Sequence, residues 1–195
     1  MTISMLLSMA FVPPIDVLEA LDAVVTAAGG RDEDLERVPL HDMQMSVTMF
    51  GNVTRGDSAN LVSALAKLSD RWPVAPTVRF SGGAALEWPG DHNVWAKAVG
   101  GVDVLEEIAQ SIAPTVHRLG YAVDRRRFRP WLPLGRITAT TDLAFLERLL
   151  AGLEAHEGSP WVVSQASLVR TTFASAHPGA SPPFEVLREF PLPVA

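Results

Sequence analysis

The chain contains no cysteine. That single absence excludes disulfides, cysteine-ligated zinc and a cysteine nucleophile, and it suits a cytoplasmic protein. No apolar run approaches the roughly 18–20 residues that a membrane span requires. The apolar start, Met1 to Val12, lacks both a basic leader and a small-residue cleavage site, so a buried strand is its expected role. Basic residues are outnumbered, 16 Lys and Arg against 22 Asp and Glu, for a net charge of −6. A long track for nucleic acid is therefore not expected. There is no low-complexity tract, and His92, His117, His156 and His177 lack the spacing of a metal site, so each reads as a surface or capping residue. No cofactor is implied, and nothing points to a particular protein partner.

What is present is globular. A length of 195 residues, 48% hydrophobic and 19% charged, buries a core and fits one domain, or two small lobes sharing a core. Charge is uneven along it. Asp32, Glu33, Asp34, Glu36 and Asp42 crowd one segment, whereas Arg125, Arg126, Arg127, Arg129 and Arg136 crowd another. The arginine segment is compatible with a small anionic ligand.

Hydrophobic spacing supplies the elements. Ile15, Leu18, Leu21, Val25 and Ala28 predict a helix stopped by Gly29-Gly30, followed by a loop over 30–40. Met45, Val47 and Met49 alternate with Gln44, Ser46 and Thr48, which predicts a strand with two unlike faces. A helix from about Ser58 to Leu68 follows, capped by Asp57. Val78–Phe80 and Asn93–Val99 read as strands around turns at Gly82-Gly83 and Pro89-Gly90. Asp103 and Glu106 resemble a capping box for a helix carrying Leu105, Ile108, Ile112 and Val116, which Pro114 should kink or shorten. A strand over Trp131–Thr138, a helix through Leu143, Leu146, Leu149, Leu150 and Leu153, and strands over Trp161–Thr172 and Phe184–Phe190 complete the plan. The last two strands flank a Gly/Pro/Ser-rich loop, Ser175 to Pro183. The repeated strand–helix–strand–helix pattern predicts an α+β fold with pseudo-twofold duplication.

Two segments carry a resemblance. Met43-Gln44-Met45-Ser46-Val47-Thr48-Met49-Phe50-Gly51-Asn52-Val53 is similar to a signature of the form L-H-L-T-L-x-F-L-G-x-V. Arg127-Phe128-Arg129-Pro130-Trp131-Leu132-Pro133-Leu134-Gly135-Arg136 is similar to RPFRP-H-x-T-L-x-R. Both are signatures of the 2H phosphoesterase superfamily, in its branch of bacterial 2'-5' RNA ligases and RNA 2',3'-cyclic phosphodiesterases, the LigT-like proteins. The opening Met5–Pro14 and the closing Phe184–Leu192 resemble that family's first and last strands, so the resemblance spans most of the chain. It implies a single bilobal domain over 1–195, of two intertwined lobes, in which antiparallel sheets flank a central cleft, helices lie outside, and each lobe contributes one signature strand.

In both signatures the chemistry has changed. Gln44 and Trp131 stand where the resemblance places the two histidines, and Ser46 and Pro133 stand where it places the hydroxyl residues. The family's histidines imply general acid and general base, and the chemistry needs imidazole because its pKa lies near 6.5. A glutamine amide does neither at accessible pH, an indole only donates, and proline has neither hydroxyl nor N–H. His41 cannot substitute, since it lies three residues from Gln44 and odd offsets on a strand point to opposite faces. A poor phosphodiesterase or none, a pseudoenzyme, is the expectation.

Ser46 is either a phosphate ligand or a small polar residue of a cleft wall. Gln44 is read as a filler still able to donate to an anion. Trp131 is either a stacking platform for a base or, more plainly, a core plug in the cleft. Arg127 and Arg129 are candidate phosphate contacts, while Arg125 and Arg126 read as solvated rim. Trp72, Trp88, Trp95 and Trp161 read as packing residues. Three functions fit these residues: non-catalytic recognition of a small phosphorylated ligand or nucleotide, an active phosphodiesterase using groups foreign to the family, and an interaction module with a vestigial cleft.

Overall fold

The computed structural model describes residues 4–29, 32–123, 127–171 and 183–194. Its elements run β1 (Ser4–Phe11), α1 (Ile15–Ala27), β2 (Glu36–Arg37), β3 (Met45–Thr54), α2 (Arg55–Ser69), β4 (Thr77–Ala85), β5 (Asn93–Gly100), α3 (Val102–His117), β6 (Trp131–Arg136), α4 (Leu143–Ala155), β7 (Trp161–Val162), β8 (Gln165–Thr171) and β9 (Phe184–Pro191). The strands form two antiparallel sheets, ordered β3-β1-β8-β9 and β2-β6-β5-β4-β7. This is the expected α+β architecture. No described helix is long and apolar enough to cross a membrane.

The duplication is visible in strand order. β3 lies beside β1 and is joined to it through α1, as β6 lies beside β5 and is joined to it through α3. The sheet begun by β1 and β3 is completed by the C-terminal hairpin β8–β9. A continuous cluster of buried apolar residues draws on both sheets and the helices, from Leu7, Met9 and Phe11 to Leu132, Leu134 and Phe190.

Several boundaries differ from the sequence reading. Trp161–Thr172 is not one strand: β7 pairs with β4 in one sheet and β8 with β1 and β9 in the other, so the chain changes sheets at Val163-Ser164. The acidic segment is not wholly loop, because Glu36-Arg37 pairs with Arg136 and Gly135. Glycine permits that pairing, since a Cβ at Gly135 would lie 2.6 Å from Leu35 Cγ. Asp34 is buried, and its carboxylate accepts from the Asp142 N–H (3.1 Å) at the start of α4. Gly82-Gly83 is not a turn but a bulge inside β4, where Leu153 of α4 sits 2.8 Å from a hypothetical Gly83 Cβ.

Caps differ too. Thr54, not Asp57, caps α2: its hydroxyl accepts from the Asp57 N–H at 3.2 Å and donates to Asp57 Oδ2 at 2.5 Å. The Thr54 hydroxyl thus bonds both the backbone N–H and the carboxylate of Asp57, three residues on. At α3 no side-chain cap forms, since the helix begins at Val102 and Asp103 lies already inside its first turn. The helix continues three residues past Pro114, which stands in its last turns. Ile15 and Leu143 are exposed, each being the first residue of its helix and outside the buried stripe. Most of the Ser175–Pro183 stretch, together with Arg125, Arg126 and His177, lies outside the described residues.

Candidate functional site

β3 and β6 touch, and a cavity of about 420 Å³ opens between them. That volume lies within the range of small-molecule sites. From the β3 side it is lined by Gln44, Ser46, Val47, Thr48 and Met49; from the other by Trp88, Trp95, Arg127, Phe128, Arg129, Trp131 and Pro133. The four family-signature positions, Gln44, Ser46, Trp131 and Pro133, are therefore brought together in one groove.

Local folding explains each placement. On β6, Trp131 and Pro133 face the groove while Leu132 and Leu134 are buried behind it, as a period of two requires. β2 pairs with β6 only at Gly135 and Arg136, so Pro133 occupies a stretch flanked by β5 alone, where a missing N–H is tolerated. Directly across, Trp95 opposes Pro133 and Lys97 opposes Trp131. On β3 the simple alternation fails. Met9 pairs with Thr48 and Ala10 with Ser46, so Val47 is an extra residue, and a second shift follows between Leu7 and Ser8. The bulges turn Ser46 and Met49 outward and bury Thr48. Gln44 precedes the strand rather than belonging to it.

Trp131 lines the groove and does not plug it. It is half-buried and stacks near-parallel on Trp88 (6.3 Å, 25°), with Trp95 5.8 Å from Trp88 and 6.3 Å from Trp131. Trp88 and Trp95 are thus site residues rather than plain packing; Trp72 and Trp161 are buried as expected, with Trp72 donating to Ser111 Oγ. The signal that would have found Trp95 is its strand parity with Lys97, two residues on, opposite Trp131 and Pro133. Trp88 comes from the β4–β5 loop, where its carbonyl accepts from the Asp91 N–H at 3.0 Å. Asp91 is buried and accepts from the Glu87 and Asn93 N–H groups and from Trp95 Nε1 at 3.0 Å. Leu86 in this loop adopts φ of 56°, a strained conformation for a branched side chain.

The arginines separate into distinct roles. Trp131 N–H donates to the Arg129 carbonyl at 2.7 Å, closing a tight turn at Pro130. That turn folds the Arg129 guanidinium over Trp88 (4.5 Å to the ring centroid) and Trp131 (5.0 Å). The Arg129 side chain makes no hydrogen bond or ion pair among the described residues. Arg127 instead pairs with Glu106 of α3 at 2.9 Å. Between them Phe128 is buried and meets Phe11 edge-on at 5.9 Å, anchoring the segment to β1. Arg136 faces another depression with Glu36 and His92, outside this groove.

The groove holds two hydroxyls, an amide, three indoles and two guanidinium groups. Among the described lining residues there is no imidazole and no carboxylate. His41 is 80% exposed, lies against Asp42 and does not enter it. Tyr121, whose hydroxyl is held above its ordinary pKa by burial and then by Asp57, does not line it either. No group of three potential metal ligands occurs among the described residues. The arrangement can stack, donate hydrogen bonds and neutralise an anion. Its described lining residues include no imidazole or carboxylate with which to form a proton-transfer pair.

No family model matches the chain, and no curated protein matches it by sequence. Solved structures do. E. coli LigT complexed with 3'-AMP superposes with a TM-score of 0.76 at 14% identity, over 97% of this chain and 99% of that one. A chain described as a phosphoesterase gives 0.73 at 15% identity over 98% and 99%, and a protein of Thermus thermophilus 0.70 at 20% over 97% and 99%. The chain has the LigT fold. The fold expected from the two signature-like segments is therefore present from β1 to β9. E. coli LigT has also been crystallised with phosphate, NADP+ and ATP.

Proposed function

We propose that this LigT-like protein binds a small phosphorylated ligand, a nucleotide by type, without turning it over. The carrying observation is Arg129: a guanidinium laid on two indole faces, facing a cavity, with no acidic partner among the described residues. A stacked guanidinium keeps its edge N–H groups free for two parallel hydrogen bonds to an oxoanion. The indole shelf beside it offers stacking worth about 1–3 kcal/mol per base. The LigT complexes with 3'-AMP and phosphate support the choice of ligand. The cysteine-free composition supports a cytoplasmic location.

Catalysis is where this reading departs from the fold. Each general acid or base contributes about 10²–10⁴ to rate, and Gln44 and Trp131 supply neither. RNA 2',3'-cyclic phosphates should therefore show no measurable hydrolysis at neutral pH. The binding test is titration of phosphate and AMP followed by tryptophan fluorescence, with Trp131→Phe assigning the signal. A dissociation constant in the micromolar to millimolar range, on the order of 10⁻⁶–10⁻³ M, is expected. Arg129→Ala should abolish the response. Absence of binding at millimolar ligand would instead favour the vestigial cleft, and turnover lost in Gln44→Ala would favour an active enzyme.

A further inference from the structure

We infer that the ligand is held at two ends, its oxoanion on Arg129 and a hydrogen-bond donor, amino or hydroxyl, on Gln44 Oε1. This rests on the reading of the groove as an anion site and adds a specificity-determining residue to it. Gln44 Oε1 is buried in the cavity wall and has no hydrogen-bond partner among the described residues. A buried acceptor left unpaired is destabilising, and that loss is recovered when a ligand supplies the missing N–H or O–H.

The neighbouring groups do not supply it. Trp95 Nε1 is committed to Asp91, and the Arg129 guanidinium lies over the rings of Trp88 and Trp131. The groove thus offers an unused donor, Arg129, and an unused acceptor, Gln44. A bare phosphate satisfies only the first. A nucleoside monophosphate satisfies both, through either the exocyclic amine of its base or a ribose hydroxyl, while its ring lies against the indoles. A site that hydrogen-bonds a donor discriminates strongly against the analogue lacking it, because its own buried acceptor is then stranded.

The test is calorimetric titration of the full chain with three probes: AMP, purine riboside 5'-monophosphate, which lacks the amine, and 2',3'-dideoxy-AMP, which lacks the ribose hydroxyls. The native protein should bind one of the two analogues about tenfold more weakly than AMP. In Gln44→Leu that gap should shrink to within about twofold, and the analogue whose gap closes identifies the donor. Gln44→Glu keeps an acceptor and should preserve the gap while weakening every anion. If AMP binds and is lost in Arg129→Ala, yet neither analogue differs from AMP or the gap survives in Gln44→Leu, the Gln44 assignment is overturned and the anion site stands. If AMP does not bind at millimolar concentration, the anion site falls and this assignment with it.

Discussion

Arg127 and Arg129 stand two residues apart, both exposed at the groove, and differ in what already holds them. Glu106 takes Arg127 at 2.9 Å, whereas Arg129 rests only on indole faces. The pair is exposed on the arginine side, so it contributes little to stability, in the range of about 0–1 kcal/mol for surface ion pairs. Its effect on ligand is larger in kind: it neutralises one of two cations facing the groove. Glu106→Gln should release Arg127 and tighten phosphate or AMP binding by about twofold to fivefold at low salt, with melting temperature nearly unchanged. Weaker binding in Glu106→Gln, measured by the same titration, would mean that Arg127 must be held in place to act. Neither arginine's state was legible in the sequence, because Glu106 lies 21 residues upstream on α3 and only the fold brings it near.

At the scale of elements, two short segments deliver the aromatic and cationic groups. The β4–β5 loop is tied by the buried Asp91 carboxylate, and the 127–130 segment by Phe128 against Phe11. Phe128→Ala removes a buried aromatic and should cost about 3–5 kcal/mol of stability, seen as a lowered denaturation midpoint. Asp91→Ala should cost less, since the loop lies at the surface, but should blunt the fluorescence change on binding by freeing Trp88 and Trp95. A change that stays at the native amplitude would show that the shelf forms without its clamp. Element types were mostly legible in the sequence: periodicity found the helices and both signature strands. What it missed has a physical cause in each case. The bulges of β3 break the alternation that periodicity assumes, the Gly82-Gly83 bulge follows from α4 pressing on β4, and the break at Val163-Ser164 is a change of sheet that local spacing does not encode. Gln44, Ser46, Trp131 and Pro133 converged because they were matched to signatures; Trp88 did not, since a loop has no period.

For the molecule as a whole, charge decides how much anion the groove can take. The chain carries a net charge of −6, and the described lining of the groove holds one guanidinium without an acidic partner, with Arg127 already offset by Glu106. Every phosphate beyond the first brings further negative charge to a site with no second unpaired cation among its described lining residues. AMP should therefore bind as tightly as ATP or more so, and raising salt from about 0.05 to 0.5 M should weaken ATP binding no more than AMP binding. Two lobes sharing a continuous core also imply that ligand and fold are linked. Unfolding should occur in one transition, and AMP at 100 times its dissociation constant should stabilise the native state by about 2.7 kcal/mol if it binds only there. Differential scanning calorimetry at graded AMP and ATP tests both expectations. Two resolved transitions would mean that the β8–β9 hairpin does not weld the lobes into one cooperative unit. A larger upward shift with ATP than with AMP would mean that the groove recruits cations beyond Arg129, with Lys97 (5.2 Å above the Trp131 ring) a source besides the lining Arg127. In that case Lys97→Met should remove the extra shift and leave the response to AMP intact.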